Sequence, residues 1–599
     1  MTRFAATHSV CAVLLALAGQ AGAADPKDWP TYNCDAAGSR HNAAETALSP
    51  ATVGQLEEKW RFPAKGSDRK IGVVHATPVV VDGSVYFGTL TEPTFYKLAP
   101  DGQLKWSYPL PRRPEPEPKK EKKAVVAERL NAKDPEGLFG AALVTDDAVY
   151  FGDMAGFLYA LDRQTGKEKW KIDTRADPFP DPHPLNVSFA SPILADGKIV
   201  FAGGAFEQWF AHDPSYHACT GRGYVLAVAP ATGKLLWKYD VGPRPQKLDP
   251  PVRISDTWGE HIFHCGPASS TVWSTPSYDA ASQTIFFGTD TNNAPRQPTK
   301  DDPRLDTRYA CAVIGISARD GSEKWVTQLN PGDVWHRGMR AYDPKAGRYL
   351  DQSIGDTPKV YSVEFDGVST RVVGAGCKNG GFYVLRAADG RLVGQTPVYA
   401  GKPTDPLDPK PDPRTLALPG PLGGLQTGCA TDGKRIYTNG LDAIQLGTQE
   451  SESALAAPTA GRVVSISLDT RQENWRHERP KTPPAGRALR AMVKQVGDPV
   501  ASGVAVANGV VYFTTTVSKK LVALDAATGT VLKEIEVGPV WSGPAVSRGR
   551  VYVGTGNILF TLDGPGADFS LFPHQSAGAL LSLGLPGADE VSGLGGGKE

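Results

Sequence analysis

The stretch that decides the fold begins with an apolar residue, continues through a glycine-containing turn and ends at a tryptophan. It reads Leu161-Asp162-Arg163-Gln164-Thr165-Gly166-Lys167-Glu168-Lys169-Trp170. An apolar run over residues 157–160 comes directly before it. An apolar run, a turn containing Gly166 and a second run ending at Trp170 predict a β-hairpin.

The same hairpin pattern recurs along the whole chain. The equivalent end positions are Trp60, Trp106, Trp170, Trp237, Trp325, Gly394, Trp475 and Lys533. Further apolar strands precede the hairpins, as at residues 77–88 and 141–152. The repeating unit therefore holds four strands, which is the size of a propeller blade. The sequence predicts an all-β, eight-bladed β-propeller whose end tryptophans pack between neighbouring sheets.

The two ends of the repeat predict how the ring closes. The strand at residues 58–62 has no hairpin before it, and the last blade lacks its final strand. Together they complete one blade, which removes exposed sheet edges. We expect the propeller within residues 24–565, with a flexible insertion rich in Pro, Glu and Lys at 112–133. Residues 566–599 are predicted to be a partly disordered tail.

Composition and the first residues restrict the function classes. Lys+Arg and Asp+Glu are both 64, so the net charge gives no support for binding nucleic acid or an anionic membrane. Residues 1–23 predict a signal peptide, with Arg3, an apolar core at 10–17 and a small-residue motif at 21–23. No apolar run is long enough to span a membrane. We expect a periplasmic protein if the host is Gram-negative.

The cysteines and histidines leave several alternatives open. Six cysteines follow the predicted signal peptide, so disulfides are possible, but the sequence does not predict their pairing. No Cys-x-x-Cys-His occurs, which argues against a covalently attached c-type haem. Several histidines cluster near predicted loops, but no pair has the spacing of a zinc ribbon or a His-Glu-x-x-His motif. The histidines and cysteine concerned are His212, His217, His261, His264 and Cys265.

One carboxylate stands out from the repeat. Glu207 follows the apolar strand at 198–201 and opens a loop that holds the only His-x-Cys of the chain, at residues 217–219. Such a glutamate is either a solvated loop charge or a ligand directed into a cavity.

Several segments carry a resemblance to a known family. They lie at residues 28–33, 204–223, 266–276, 288–293, 331–335 and 374–380, in addition to the hairpins. The sequence resembles the pyrroloquinoline quinone (PQQ) dehydrogenase family of eight-bladed propellers. Within that family it is most similar to polyvinyl-alcohol-dehydrogenase-like members. The resemblance implies a PQQ-dependent alcohol dehydrogenase with Ca²⁺ as a second cofactor.

The resemblance also implies site residues. Glu207 and Asn292 match the family's Ca²⁺ ligands, and a hard dication prefers carboxylate and amide oxygens. Trp273 matches the tryptophan on which the planar quinone lies. Lys378 matches the basic residue near the quinone oxygens, where a cation stabilises the reduced form. Each residue also has an ordinary structural reading, as a loop charge, a turn residue or part of the core.

The catalytic base departs from the family pattern. The alcohol dehydrogenase branch has its catalytic Asp where this chain has His336. Polyvinyl-alcohol-type members have an Asp-containing segment slightly later, which makes Asp351 the first candidate base and His336 the second. Ser353 and Ala218 are further departures. An adjacent Cys pair of the family is replaced by Ala218-Cys219, and Cys265 is only a guess as a partner for Cys219.

Two hypotheses follow from the sequence. The first is a periplasmic dehydrogenase that oxidises a small-molecule or polymeric alcohol by hydride transfer to PQQ, with Ca²⁺ as Lewis acid. It would pass its electrons to a separate cytochrome c. The second is a non-catalytic periplasmic propeller that acts as a binding or scaffold protein, because a fold does not imply a function.

Overall fold

The structure of the chain is a computed structural model, and its described part covers most of the propeller. The described residues are 25–113, 137–209, 220–256, 259–266, 270–292, 308–333, 335, 342–343, 348–349, 351–365, 367–398, 423–442, 460–492, 494–559, 570 and 572–587. Within these ranges the chain forms eight antiparallel sheets built around four strands each. The predicted all-β, eight-bladed propeller is confirmed.

The first four blades follow one another along the chain. Blade 1 consists of β3 (Val79–Val81), β4 (Ser84–Gly88), β5 (Thr94–Leu98) and β6 (Leu104–Pro109). Blade 2 consists of β7 (Leu143–Val144), β8 (Ala148–Gly152), β9 (Phe157–Asp162) and β10 (Glu168–Asp173). Blade 3 consists of β12 (Ile193–Ala195), β13 (Lys198–Ala205), β14 (Gly223–Val228) and β15 (Leu235–Asp240). Blade 4 consists of β18 (Ser277–Asp279), β19 (Thr284–Gly288), β20 (Ala312–Ser317) and β21 (Glu323–Gln328).

The second four blades complete the ring. Blade 5 consists of β24 (Lys359–Phe365), β25 (Val368–Gly376), β26 (Gly381–Arg386) and β27 (Leu392–Pro397). Blade 6 consists of β28 (Ala430–Thr431), β29 (Arg435–Asp442), β30 (Ala460–Ser467) and β31 (Glu473–Glu478). Blade 7 consists of β34 (Ala505–Ala507), β35 (Val510–Thr514), β36 (Lys520–Asp525) and β37 (Val531–Glu536). Blade 8 consists of β38 (Ala545–Ser547), β39 (Arg550–Gly554), β40 (Leu580–Gly584) and β2 (Glu57–Phe62).

Blade 8 closes the ring with both ends of the chain. The N-terminal strand β2 pairs with β40, so it forms the outermost strand of a sheet whose other strands are C-terminal. This agrees with the predicted shared blade. The predicted C-terminal bound was too short, however, because β40 lies within the residues 566–599 assigned to a tail. The strand was missed because no hairpin motif marks it.

Several short strands and one short helix lie outside the four-stranded pattern of the blades. Strands β1 (His41–Asn42) and β11 (Asn186–Val187) extend the sheets of blades 7 and 3. The connections between blades carry β16 (Gln246–Asp256) with β17 (Gly259–Gly266), β22 (Tyr342–Asp343) with β23 (Arg348–Tyr349), β32 (Lys481–Thr482) with β33 (Val496–Gly497), and helix α1 (Arg487–Met492). No helix among the described residues is both long and apolar enough to cross a bilayer.

The tryptophans of the repeat join each blade to the next. The indole Nε1 of Trp170 donates to the carbonyl of Pro230, 2.9 Å away in blade 3. Its ring lies against Gly233, where a Cβ would come within 2.7 Å of the indole. Trp60, Trp106, Trp237, Trp325 and Trp475 make the equivalent pair of contacts. The hairpin glycine therefore serves both the turn and the docking of the neighbouring tryptophan.

The N-terminal strap, residues 25–45, holds the inner strands of the ring. Its backbone accepts from the amides of Val80, Val144, Tyr278, Val360, Thr431 and Val506, which lie in the first strands of blades 1, 2, 4, 5, 6 and 7. Thr31 reaches the carbonyl of Pro192 just before β12, and Asn42 reaches that of Val546 in β38. Every blade thus has a bond to the strap.

The order of strands decides which loops meet. Strand direction alternates within a blade, so the loop between the second and third strands lies at the same end as the connection into the next blade. Glu207, Asn292 and Lys378 follow the second strands of blades 3, 4 and 5. Trp273 and Asp351 lie in connections that lead into blades 4 and 5. The fold therefore brings all five residues to one face of the ring.

Candidate functional site

Glu207 lies at the start of a short 3₁₀ turn, Glu207–Trp209, directly after β13. Its side chain is fully buried. Oε1 accepts from the backbone N and Oγ1 of Thr220, at 2.9 and 2.8 Å, and Oε2 accepts from the N of Gly221 at 2.9 Å. Oε2 also lies 3.1 Å from the N of Thr220. These bonds fix the orientation of the carboxylate, and a carboxylate is a hard oxygen ligand of the kind that Ca²⁺ prefers. The solvated reading of Glu207 is therefore wrong.

His183 lies beside the Glu207 carboxylate and contacts one of its hydrogen-bond donors. Its Nε2 lies 2.9 Å from Oγ1 of Thr220 and 3.9 Å from Oε1 of Glu207. Burial lowers the pKa of His183, although the charges of Glu207 and Asp181 act in the opposite direction. The histidine is therefore predominantly neutral at pH 7.

Glu207 and Asn292 belong to loops that touch. Gln208, next to Glu207, donates from Nε2 to Oδ2 of Asp290 at 3.2 Å, and Asp290 is two residues from Asn292. Asn292 is buried, and its carbonyl accepts from the N of Trp335 at 2.8 Å. A buried carboxylate and a buried amide on adjoining loops are a suitable oxygen donor pair for Ca²⁺.

Trp273 presents its indole at the same face. Its ring passes so close to Gly355 that a Cβ there would lie 2.3 Å from Cη2 of the indole. The indole Nε1 is buried and has no hydrogen-bond partner among the described residues. Since a buried N–H normally has a partner, this donor is available to a bound ligand. The flat face and the N–H suit a planar, oxygen-rich molecule.

Asp351 and Lys378 form a direct ion pair. Nζ of Lys378 lies 2.7 Å from Oδ2 of Asp351, and the two side chains are 10% and 14% exposed. Burial raises the pKa of Asp351 to about 7, because the neighbouring Asp290 and Asp333 add to that effect and Lys378 only partly offsets it. Burial alone would lower the pKa of Lys378, but the surrounding carboxylates, with Asp351 foremost, raise it. The lysine therefore stays charged while Asp351 titrates near neutral pH.

Three contributors to this site were not predicted from the sequence. Asp290 and Asp333 lie in segments that carried the resemblance, but neither was singled out. Asp290 accepts from Thr271 and Gln208, and Asp333 accepts from the N of Gln352 at 2.9 Å. Gly355 was also not predicted, because its close contact with the indole of Trp273 is visible only in the folded structure. The signal for the two aspartates was sequence position, because Asp290 stands two residues before the proposed ligand Asn292 and Asp333 stands three residues before the candidate base His336.

Some predicted features lie outside the described residues. These are the predicted signal peptide at 1–23, residues 114–133 of the predicted insertion, and His336, His212, His217, Ala218 and Cys219. Ser353 is described, and its hydroxyl is buried without a hydrogen-bond partner among the described residues. Among all the residues that the structure describes, no three His, Cys, Asp or Glu side chains lie close enough together to hold a metal ion by themselves.

The described residues fit PQQ and Ca²⁺. Glu207 and Asn292 supply hard oxygen donors, and Ca²⁺ completes its coordination with other oxygens, which a quinone carboxylate can provide. Trp273 offers a face and an unused N–H, and Lys378 offers a positive charge.

Comparison with known proteins agrees with this reading. Residues 29–399 match the family model described as "Glucose/ethanol/alcohol dehydrogenase, beta-propeller domain" for PQQ proteins. Residues 459–566 match a model described as "Outer membrane protein assembly factor BamB". The chain therefore belongs to the PQQ-dependent alcohol dehydrogenase family of β-propellers.

Curated relatives include two kinds of dehydrogenase. The chain is 28% identical over 401 residues to the polyvinylalcohol dehydrogenase of Sphingopyxis sp. (strain 113P3), which covers 65% of this chain and 51% of that protein. It is 26% identical over 368 residues to the quinohemoprotein alcohol dehydrogenase ADH-IIG of Pseudomonas putida, covering 61% and 45%. The chain thus spans about half the length of these relatives.

A solved structure shares the fold across nearly the whole chain. The quinohemoprotein alcohol dehydrogenase from Comamonas testosteroni aligns with a TM-score of 0.66 at 20% identity, covering 94% of this chain and 81% of that one. At this identity the likeness supports the fold alone.

Proposed function

We propose that this chain is a periplasmic quinoprotein dehydrogenase that oxidises an alcohol with PQQ and Ca²⁺. The observation that carries the proposal is the Asp351–Lys378 pair, buried at the same face of the propeller as Glu207, Asn292 and Trp273. An acid–base group that titrates near neutral pH, beside a fixed positive charge, is what proton removal from an alcohol requires.

Each residue has a distinct role in this proposal. Glu207 and Asn292 hold Ca²⁺, Trp273 lies against the face of PQQ, and Lys378 lies near its oxygens. When bound, PQQ supplies the hydride acceptor and Ca²⁺ the Lewis acid. The buried bonds from Thr220 and Gly221 keep the Glu207 carboxylate in place before the metal arrives.

Asp351 acts as the base. Oxidation of an alcohol removes a hydride from carbon and a proton from oxygen, and Asp351 takes that proton. Its carboxylate is ionised above about pH 7, where it can accept. Lys378 keeps the carboxylate oriented through the 2.7 Å bond and stabilises its charged form. His336 remains the second candidate base.

The partners of the reaction are also proposals. The substrate is a small-molecule or polymeric alcohol, since polyvinylalcohol dehydrogenases and quinohemoprotein alcohol dehydrogenases are both among the relatives. A separate cytochrome c takes the electrons, and the predicted signal peptide directs the chain to the periplasm.

The test uses the purified full chain with added PQQ and Ca²⁺. Binding is followed by quenching of tryptophan fluorescence, and turnover by reduction of an artificial dye with a panel of alcohols. We expect saturable PQQ binding that depends on Ca²⁺, followed by dye reduction. Glu207→Ala should lose the Ca²⁺ dependence, whereas the matched control Glu536→Ala, on an exposed strand end, should keep it. A folded chain that binds no PQQ would contradict the proposal.

A non-catalytic propeller is the second candidate. The match of residues 459–566 to a model of an outer membrane assembly factor favours it, since that name describes no enzyme. PQQ binding without any dye reduction across the alcohol panel would support this alternative.

A further inference from the structure

The segment from Asp351 to Gly355, here called the 351–355 segment, enters the site in a restrained conformation. Asp351 has φ +68°, a left-handed backbone angle that L-residues other than glycine rarely adopt. Aspartate tolerates it better than most residues, but it persists only where the surroundings fix it. The contacts that fix it come from both neighbouring blades.

One set of contacts holds the backbone N–H of Gln352. Its N donates to Oδ2 of Asp333 at 2.9 Å. The same oxygen accepts from Sγ of Cys311 at 3.1 Å. Asp333 and Cys311 are both buried, at 1% and 0% exposure, so water does not compete for these bonds.

A second set of contacts holds the backbone carbonyl of Gln352. Nδ2 of Asn330 donates to it at 2.9 Å, and the thiol of Cys377 donates to it at 3.3 Å. Asn330 also donates to the sulfur of Cys377 at 3.1 Å. Asn379 completes the set by donating to Oδ1 of Asn330 at 2.9 Å.

The second set of contacts also holds the loop that carries Lys378, the ion-pair partner of Asp351. Cys377 is adjacent to Lys378, and the N of Lys378 donates to the carbonyl of Ser353 at 3.1 Å. The N of Ile354 donates to the carbonyl of Thr289 in blade 4 at 3.0 Å. The loop that carries Lys378 therefore also holds the backbone that carries Asp351, so one set of bonds positions both ends of the ion pair.

We propose that Asn330, Asp333, Cys311 and Cys377 are positioning residues that hold Asp351 in its left-handed conformation against Lys378. This rests on the proposed function, in which Asp351 is the base. None of the four needs to touch substrate, PQQ or Ca²⁺. Asn330, Asp333 and Cys377 bond to the backbone of Gln352, and Cys311 acts through its bond to Asp333.

Cys377 provides an informative substitution series. Cys377 occupies the position at the end of the second strand where blades 1, 4, 7 and 8 have threonine. Those threonines bond to the third strand of their own blade, as Thr289 does to Ala312. Cys377 instead directs its sulfur to Asn330 and Gln352. Cys377→Ala removes this contact, and Cys377→Ser restores a donor and an acceptor of similar size.

The first measurement is turnover of the PQQ- and Ca²⁺-loaded full chain. Asn330→Ala and Cys377→Ala should lower kcat at least about tenfold, because the base is misplaced. PQQ affinity should fall by a smaller factor, because Lys378 shifts while Glu207, Asn292 and Trp273 keep their contacts. Cys377→Ser should recover most of the rate. Cys34→Ala is the matched control, since Cys34 is also buried and its thiol donates to the carbonyl of Asp28, outside the candidate site.

The second measurement needs no cofactor and separates this inference from the proposed function. Amide hydrogen exchange of the 351–355 segment in the apo chain should be at least about tenfold faster in Asn330→Ala and Cys377→Ala than in wild type, and unchanged in Cys34→Ala. Unchanged exchange in folded Asn330→Ala would overturn the positioning inference whatever the turnover. Faster exchange in a chain that never reduces dye would support the inference while the proposed function fails.

Discussion

Nζ of Lys378 donates to Oδ2 of Asp351 at 2.7 Å, although the two residues belong to different loops. Asp351 is buried enough for its pKa to rise to about 7, yet it keeps a charged partner. A base of this pKa is half ionised near neutral pH, where many enzymes work. The pair leads to a prediction about rate.

Asp351→Asn should lower kcat for alcohol oxidation by about 10²–10⁴-fold, the usual contribution of a general base. PQQ and Ca²⁺ binding should persist, because the amide keeps the shape of the side chain. In the wild-type chain, kcat should rise with pH through about 7, as Asp351 loses its proton. Steady-state dye reduction between pH 5 and pH 9 measures both effects.

The control for this substitution is Asp389→Asn, since Asp389 lies on an exposed hairpin and pairs only with Arg386 and the local backbone. It should leave the rate and its pH dependence unchanged. If Asp351→Asn retained the wild-type rate and profile, the base would have to be sought elsewhere, with His336 next.

Gly355→Ala should weaken PQQ binding without unfolding the propeller. The added methyl would lie 2.3 Å from Cη2 of Trp273 and 2.5 Å from the carbonyl of Gln426, so the indole must move. We expect PQQ affinity to fall at least about tenfold, or about 1.4 kcal/mol. Fluorescence titration with PQQ at saturating Ca²⁺ measures it.

Gly54→Ala is the matched control for the glycine substitution, because its nearest neighbour to a new Cβ is 3.9 Å away. Its PQQ affinity should equal that of wild type. Equal affinity in Gly355→Ala would mean that Trp273 does not contact the cofactor.

Most of the fold could be predicted because the repeat is local. A hairpin glycine and an end tryptophan, such as Gly166 and Trp170, signal a blade without knowledge of the rest of the chain. The tryptophan's real contact, with Gly233 of the next blade, is a consequence of the same spacing. Strand β40 was not predicted because it lacks this motif. It is separated from its partner β39 by residues 555–579, and its other partner, β2, lies more than 500 residues earlier in the sequence.

The site could be predicted less completely. Alternating strand direction places Glu207, Asn292 and Lys378 on one face once the blades are known, and the structure has them there. The contact between Lys378 and Asp351 could not be foreseen, because it depends on a left-handed residue held by bonds from two blades. The functional roles of these residues stay predictions.

Arg40 should be a determinant of stability far from the site. Its guanidinium is fully buried and donates to the carbonyls of Tyr32, Val504 and Pro544. Arg40→Met would remove these three charge-assisted hydrogen bonds from the interior, so we expect a loss of about 3 kcal/mol or more in the free energy of unfolding. Denaturant unfolding measures the loss, and the exposed Arg386→Met serves as control.

An unchanged unfolding midpoint in Arg40→Met would contradict the role of the N-terminal strap as a tie between blades. If the strap does act in this way, the loss should be similar in apo and cofactor-loaded protein, because Arg40 makes no contact with the candidate site residues.

Asp153 provides a prediction about pH and stability in blade 2. It stands directly after β8, where blades 1, 4, 7 and 8 have threonine. Its carboxylate accepts from the N of Phe157 at 2.8 Å and from the hydroxyl of Tyr159 at 2.9 Å. Burial raises its pKa from 3.8 to about 7, although these bonds and the nearby Arg175 and Arg113 act in the opposite direction.

Because the folded protein binds this proton more tightly than the unfolded chain does, Asp153 makes the protein less stable as pH rises from 3.8 to about 7. The change amounts to at most about 4 kcal/mol. Asp153→Thr keeps an acceptor for the N of Phe157, as Thr89 accepts from the N of Thr94 at 3.1 Å, and removes the titration. We expect the variant to unfold with a flatter pH dependence and to gain stability relative to wild type at pH 8. Asp389→Thr, on an exposed turn, should leave the steepness unchanged, and an equally steep fall in Asp153→Thr would show that another group is responsible.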